Sequence, residues 1–207
     1  MNTNYHIVLL CIGAVLMCAS LSIASDTNIP DEVVRLRAAI VSSENQEAKT
    51  LAHVRLLIEL GNRLESPANP ELLKLLAESA LATVALPSEN WAHPVGAYYQ
   101  TALASFEGRK EDAVKLAEGY LVSLPFSQLQ KGKNQDYQAF LSALGDGPDP
   151  LRDAFVLILG CSLCDLGRHD EAEKLVEQIK SPSFREVLGS SINQARGYPK
   201  THFWPND

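Results

Sequence analysis

Residues 160–175 read GCSLCDLGRHDEAEKL, and two incompatible chemistries fit them. Cys161 and Cys164 stand at the C-x-x-C spacing of thiol redox centres and half zinc sites. The eight residues that follow have the composition of a turn between two packed helices. A second stretch decides between the two. Residues 108–118, GRKEDAVKLAE, and residues 167–177, GRHDEAEKLVE, agree at Gly, Arg, Ala, Lys, Leu and Glu, six of eleven positions, and exchange Asp and Glu at two more. Unrelated helices seldom share a turn as well, so the pair reads as an internal repeat. Gly108 and Gly167 are placed to end one helix in the left-handed conformation that costs only glycine nothing. The acidic pairs Glu111-Asp112 and Asp170-Glu171 fall in the first turn of the next helix, at its positive dipole end. Ala113 and Ala172 are small enough for two helices to approach closely. Every shared position builds a helical hairpin.

Helix signals are dense on both sides of these turns. Leu, Ala, Glu and Lys recur, runs of Val, Ile and Thr are few, and aromatics make up only 7% of the 207 residues, which favours helix over sheet. Pro30-Asp31 opens a first short helix, with Asp31 as its expected cap. A second covers about 44–64, where Leu51, Val54, Leu57, Ile58 and Leu64 recur at helical spacing. Asn69-Pro70 is a cap followed by an N1 proline and starts a third that stops at Pro87. Two more cover about 92–106 and 110–124, ended by Pro125. Residues 126–149 are less regular, with one short helix ending at Gly145. Asp149-Pro150 repeats the cap-proline signal and opens LRDAFVLILGCSLCDL, apolar almost all round and so expected to be buried between neighbours. DEAEKLVEQIK and a last helix, SFREVLGSSINQA, follow. The fold class expected is all-α, antiparallel helical hairpins stacked into an α-α superhelix over residues 30–197, with an irregular aromatic tail at 198–207.

The second copy, with Leu159 and Gly160 in its first helix, Gly167 at the turn and Ala172 in its second, resembles the tetratricopeptide family, which stacks helix-turn-helix units of about 34 residues. The first copy matches at Gly108, Ala113 and the terminal Pro125, but has Gln100 and Thr101 where Leu and Gly are expected, and the motif's usual tryptophan is absent. The resemblance implies a concave groove lined by the first helix of each hairpin, binding an extended peptide or a partner helix. Carried over, the lining would be Val95, Tyr98, Ala102, Ser105, Phe106, Ala154, Leu157, Cys161, Cys164 and Asp165. Trp91, Tyr98 and Tyr99 are then candidate binding anchors. Tyr198, Phe203 and Trp204 in the tail either add to them or fold back to cap the stack.

The first residues point to export. Residues 7–17, IVLLCIGAVLM, have the length of a signal-peptide core, and Ser22 and Ala24 stand as the −3 and −1 residues of a cleavage site before Ser25. Residues 1–24 are therefore expected to be a leader, giving a periplasmic or secreted chain. The alternative is retention as an anchor, with membrane contact through residues 7–24 alone. Lipidation at Cys18 meets an obstacle in Met17, which is not small. A net charge of −7 without a basic cluster argues against a nucleic-acid partner. The partner expected is a protein or peptide.

Sharper chemistry finds little support. Cys161 lies well inside its helix, away from the dipole end that lowers a thiol pKa. Cβ atoms at i and i+3 stand about 5–6 Å apart, whereas a disulfide needs about 3.8 Å. Cys161, Cys164 and His169 supply three zinc ligands at most. Small apolar packing residues are the expected reading of the pair, with a labile disulfide or a metal as alternatives. His6, His53, His93, His169 and His202 lack ligand spacing, and neither a G-x-S-x-G elbow nor a phosphate loop occurs. The expectation is a non-catalytic interaction scaffold with no cofactor and no metal; the alternatives are a thiol oxidoreductase using Cys161 and Cys164, and a structural subunit of an envelope assembly.

Overall fold

The computed structural model describes residues 29–63, 69–129, 134–145 and 147–197. The leader, Leu64 and the aromatic tail with Tyr198, Phe203 and Trp204 lie outside them, as do Cys11 and Cys18. Among the described residues there are ten helices and no strand, so the fold is all-α. The helices are α1 Asp31–Ser42, α2 Gln46–Gly61, α3 Pro70–Val84, α4 His93–Phe106, α5 Lys110–Ser123, α6 Phe126–Leu129, α7 Gln135–Leu144, α8 Pro150–Asp165, α9 His169–Val176 and α10 Pro182–Ala195. No described helix is long and apolar enough to cross a membrane.

Both repeated glycines turn the chain as their sequence requires. Gly108 has φ 77° and Gly167 φ 74°. The Arg109 N–H donates to the Ala104 carbonyl at 2.9 Å and the Gly108 N–H to Ser105 at 3.2 Å; the Arg168 N–H donates to Leu163 at 2.8 Å and the Gly167 N–H to Cys164 at 3.0 Å. These are the paired 6→1 and 5→2 bonds of a Schellman cap, which satisfy carbonyls that a helix end leaves orphaned. The next helix begins at once, so α4 and α8 fold back against α5 and α9, and Ala113 and Ala172 are fully buried where the helices meet.

Contacts between helices alternate along the chain. α2, α4, α8 and α10 touch one another in that order and form an inner layer; α1, α3, α5 and α9 form an outer layer, each of the last three seated between two inner helices. α8 is in consequence buried from Pro150 to Cys164 at every residue except Arg152, as its nearly unbroken apolar sequence requires. Gly160 allows α10 to approach it: a Cβ there would stand 2.5 Å from Leu188 Cδ1.

Residues 126–149 have the largest role that their irregular sequence does not announce. After α6, the chain crosses the far side of the inner layer as α7, which packs on α2 and α8. Asn134 caps α7, its side chain accepting from the Tyr137 N–H at 3.0 Å. Tyr137, Phe140, Leu141 and Leu144, spaced i, i+3, i+4 and i+7, are all buried. Two capping expectations need correction. Asp31 is the first helical residue and Pro30 holds the cap position, with no side-chain cap bond. Asp149 holds the cap position of α8 but makes no cap bond either. Asn69 does cap α3, accepting from Glu71 N–H at 2.9 Å.

At Gly108 and Gly167 nothing lies within 4 Å of an added Cβ, so an alanine there strains the backbone alone. Gly167→Ala is expected to lower stability by about 1 kcal/mol in urea unfolding, and Gly160→Ala by about 1–3 kcal/mol through overpacking against Leu188. Parental stability in Gly167→Ala contradicts the left-handed turn.

Candidate functional site

The proposed groove lining comes together on the inner layer, but it is not an open surface. Val95, Tyr98, Ala102, Ser105, Ala154, Leu157, Cys161 and Cys164 are all buried, and Phe106 is half-buried. One physical reason is the inserted α7, which covers the tyrosines of α4; Gly160 and Cys161 of α8 are covered instead by Leu188 and Ser191 of α10. Phe140 stands 5.6 Å from Tyr98 and 6.1 Å from Tyr99, ring centre to ring centre, and Tyr98 meets Phe155 edge-on at 6.3 Å. Tyr98 and Tyr99 are thus core aromatics rather than exposed anchors, and Trp91 is half-buried against the same core. The Tyr99 hydroxyl is buried with no hydrogen-bond partner, and desolvation raises its pKa.

Cys161 and Cys164 are free thiols facing the core. Desolvation pushes Cys161 up to about 11, against a weaker opposing effect of its contact with the Ser191 hydroxyl at 3.8 Å. Cys164 is pushed up to about 12, first by desolvation and then by Cys161 and Asp165 nearby. A thiolate is the form that attacks disulfides and binds metals, so this environment disfavours both. Among the described residues no group of three or more His, Cys, Asp or Glu is placed to hold a metal ion.

Pairwise sequence rules did not find the polar chain beside the thiols. Lys110, the first residue of α5, reaches Asp165 at the end of α8 with 2.6 Å between Nζ and Oδ2, and Ser105 Oγ in α4 at 3.4 Å. Ser105 Oγ then meets Ser162 Oγ in α8 at 3.2 Å. A lysine beside two serines has the ingredients of nucleophilic catalysis. Here the ammonium is engaged by a carboxylate, and Ser162 at the end of the chain has no surface exposure. What the arrangement does is tie α4, α5 and α8 together. Asp153 does similar work: fully buried, its Oδ2 accepts from the Lys180 and Ser181 N–H groups at 3.0 and 2.7 Å and so holds the turn into α10.

The shared arginine of the repeat has an acidic partner in each copy, at a spacing visible in the sequence. Arg109 pairs with Asp112 at 3.2 Å and Arg168 with Glu171 at 2.7 Å, in each copy with the acid three residues on. Asp and Glu exchange at that position because either carboxylate meets the guanidinium. Of the histidines, His53 Nδ1 lies 3.2 Å from Ser79 Oγ and His93 Nδ1 2.8 Å from the Leu86 carbonyl, bonds within the fold. No protein-family model matches the chain, and comparison with curated proteins and with solved structures yields no match either.

A thiol reagent added to the folded chain at pH 8 is expected to modify neither Cys161 nor Cys164 until denaturant is added; rapid native labelling overturns the buried placement. The raised pKa values also carry a sign. The protonated thiols stabilise the fold fully below the ordinary value of about 9, and that contribution is lost as pH rises towards about 11 for Cys161 and about 12 for Cys164. Cys161→Ala is expected to flatten part of the fall in melting temperature over that window.

Proposed function

We propose that the chain is an exported helical-repeat scaffold that binds a protein or peptide partner and carries out no catalysis of its own. The observation that carries the reading is the repeated turn: the same glycine conformation, the same pair of Schellman bonds and the same Arg–acid pairing occur in both copies. Together with the alternating layers, they support the resemblance to the tetratricopeptide family, whose members serve as binding scaffolds. The leader-like first residues support export, and the raised thiol pKa values weigh against the oxidoreductase alternative.

A second reading, a structural subunit of an envelope assembly, draws on α1. Among the described residues this helix is the first of the outer layer and packs mainly on α2, yet Val34 and Val41 on its outward side are 53% and 84% exposed. α10, the last of the described helices, turns Arg185, Glu186, Ser190 and Gln194 outward, a polar face of the kind that closes a helical stack.

Photo-crosslinking residues placed singly at Val41 and at the exposed Ser142 on α7, in the full chain in its native envelope, separate these readings. A discrete protein adduct from Ser142 supports the scaffold, and one from Val41 supports the subunit. Recovery of the uncrosslinked chain from both sites contradicts both.

A further inference from the structure

Residues 124–149 separate α5 from α8, whereas only residues 85–92 separate α3 from α4 and 177–181 separate α9 from α10. The long connection thus carries a segment that the repeat itself does not need. α7 within that segment is bounded by its own signals, the Asn134 cap at one end and Gly145 at the other. It lies across three inner helices: it packs on α2 and α8, and Phe140 sits on the two tyrosines of α4. Its outward residues, Gln135, Ala139 and Ser142, are exposed, so it is an amphipathic helix lying on a face and not a buried rod. Arg55 of α2 fixes its start, donating from Nε to Asp136 Oδ1 at 3.0 Å. The inner face therefore already accommodates a helix, and the structure displays the chemistry it takes: aromatics at i and i+3, leucines at i+4 and i+7, and an acid just before the first aromatic to meet Arg55.

We propose that the α2/α4/α8 face is a helix-binding groove filled in cis by α7, and that its partner is an amphipathic helix of that same pattern, which binds by displacing α7. The inference rests on the scaffold reading and gives it a site and a control. Helix-in-groove recognition through i, i+3, i+4 and i+7 anchors is a general mode of association. An occupant tethered in the same chain competes at an effective concentration in the mM range, so the chain as it stands resists a free helix of equal quality.

The test uses a fluorescent peptide of residues 134–145 added to the full chain and to a full-length Phe140→Ala/Leu144→Ala variant, whose own α7 is weakened. The expected result is at least tenfold tighter binding to the variant than to the parent, with binding lost when the peptide itself carries the Phe140→Ala change. Where the variant is unfolded alone, the peptide is expected to restore its helical circular dichroism. A folded variant that does not bind the peptide, equal binding by parent and variant, or an unfolded variant that the peptide fails to rescue each overturns the proposal. Peptide exchange with no adduct at either crosslinking position leaves the groove standing and removes the scaffold reading. An adduct at Ser142 with no peptide exchange does the reverse.

Discussion

A glycine in the left-handed conformation after α4, and another after α8, is the constraint on which the structure depends. Each reverses the chain within three residues and hands the freed carbonyls to Schellman bonds. Once the reversal is that tight, the following helix has no course but back along the one before it. Successive hairpins then place one helix inside and one outside, and the inner helices touch each other. The enclosure of α4 and α8 follows, and with it the burial of the thiols and of the aromatic cluster around Phe155.

Two copies of one turn do not give two equal joints. Lys110 and His169 occupy the same place in the repeat, and Asp165 and Ala195 stand at matching places two residues before Gly167 and Gly197. Lys110 meets Asp165 in a partly buried ion pair with Ser105 alongside. His169 has no acid at the matching place in the sequence, and its Nδ1 is buried without a hydrogen-bond partner. The second joint is held from elsewhere: Arg196 donates to Asp170 and to Glu173, both at 2.9 Å. Pairs as exposed as Arg168–Glu171 are screened by water and contribute little, so the apolar contact of α8 with its neighbours, and not these pairs, decides that the layers adhere.

The helices and turns were legible because their signals are local. Gly108, Gly167, Asn69-Pro70 and the apolar run of α8 each settle their own neighbourhood, and the structured boundaries fall within a few residues of those read from sequence. The cysteine pair was legible for the same reason, since a position deep in an apolar helix predicts a packing residue. The occupant of the inner face was not. Tyr137, Phe140, Leu141 and Leu144 announce an amphipathic helix, but no local rule says which surface it covers. A residue such as Leu157 has the same pattern whether a partner or its own chain buries it. Asp31 and Asp149 show the converse limit: a good capping residue beside a proline still leaves its carboxylate free to serve elsewhere, and cap preference is only about 1 kcal/mol.

The two turns enclose α4 and α8 within the inner layer of one stack. Amide hydrogen exchange on the intact chain, resolved by segment, tests it most directly. The account predicts that residues 95–106 and 153–165 exchange last and together, only through global unfolding, while α1 at the edge exchanges first. Exchange in α4 or α8 as fast as in α1 would contradict it.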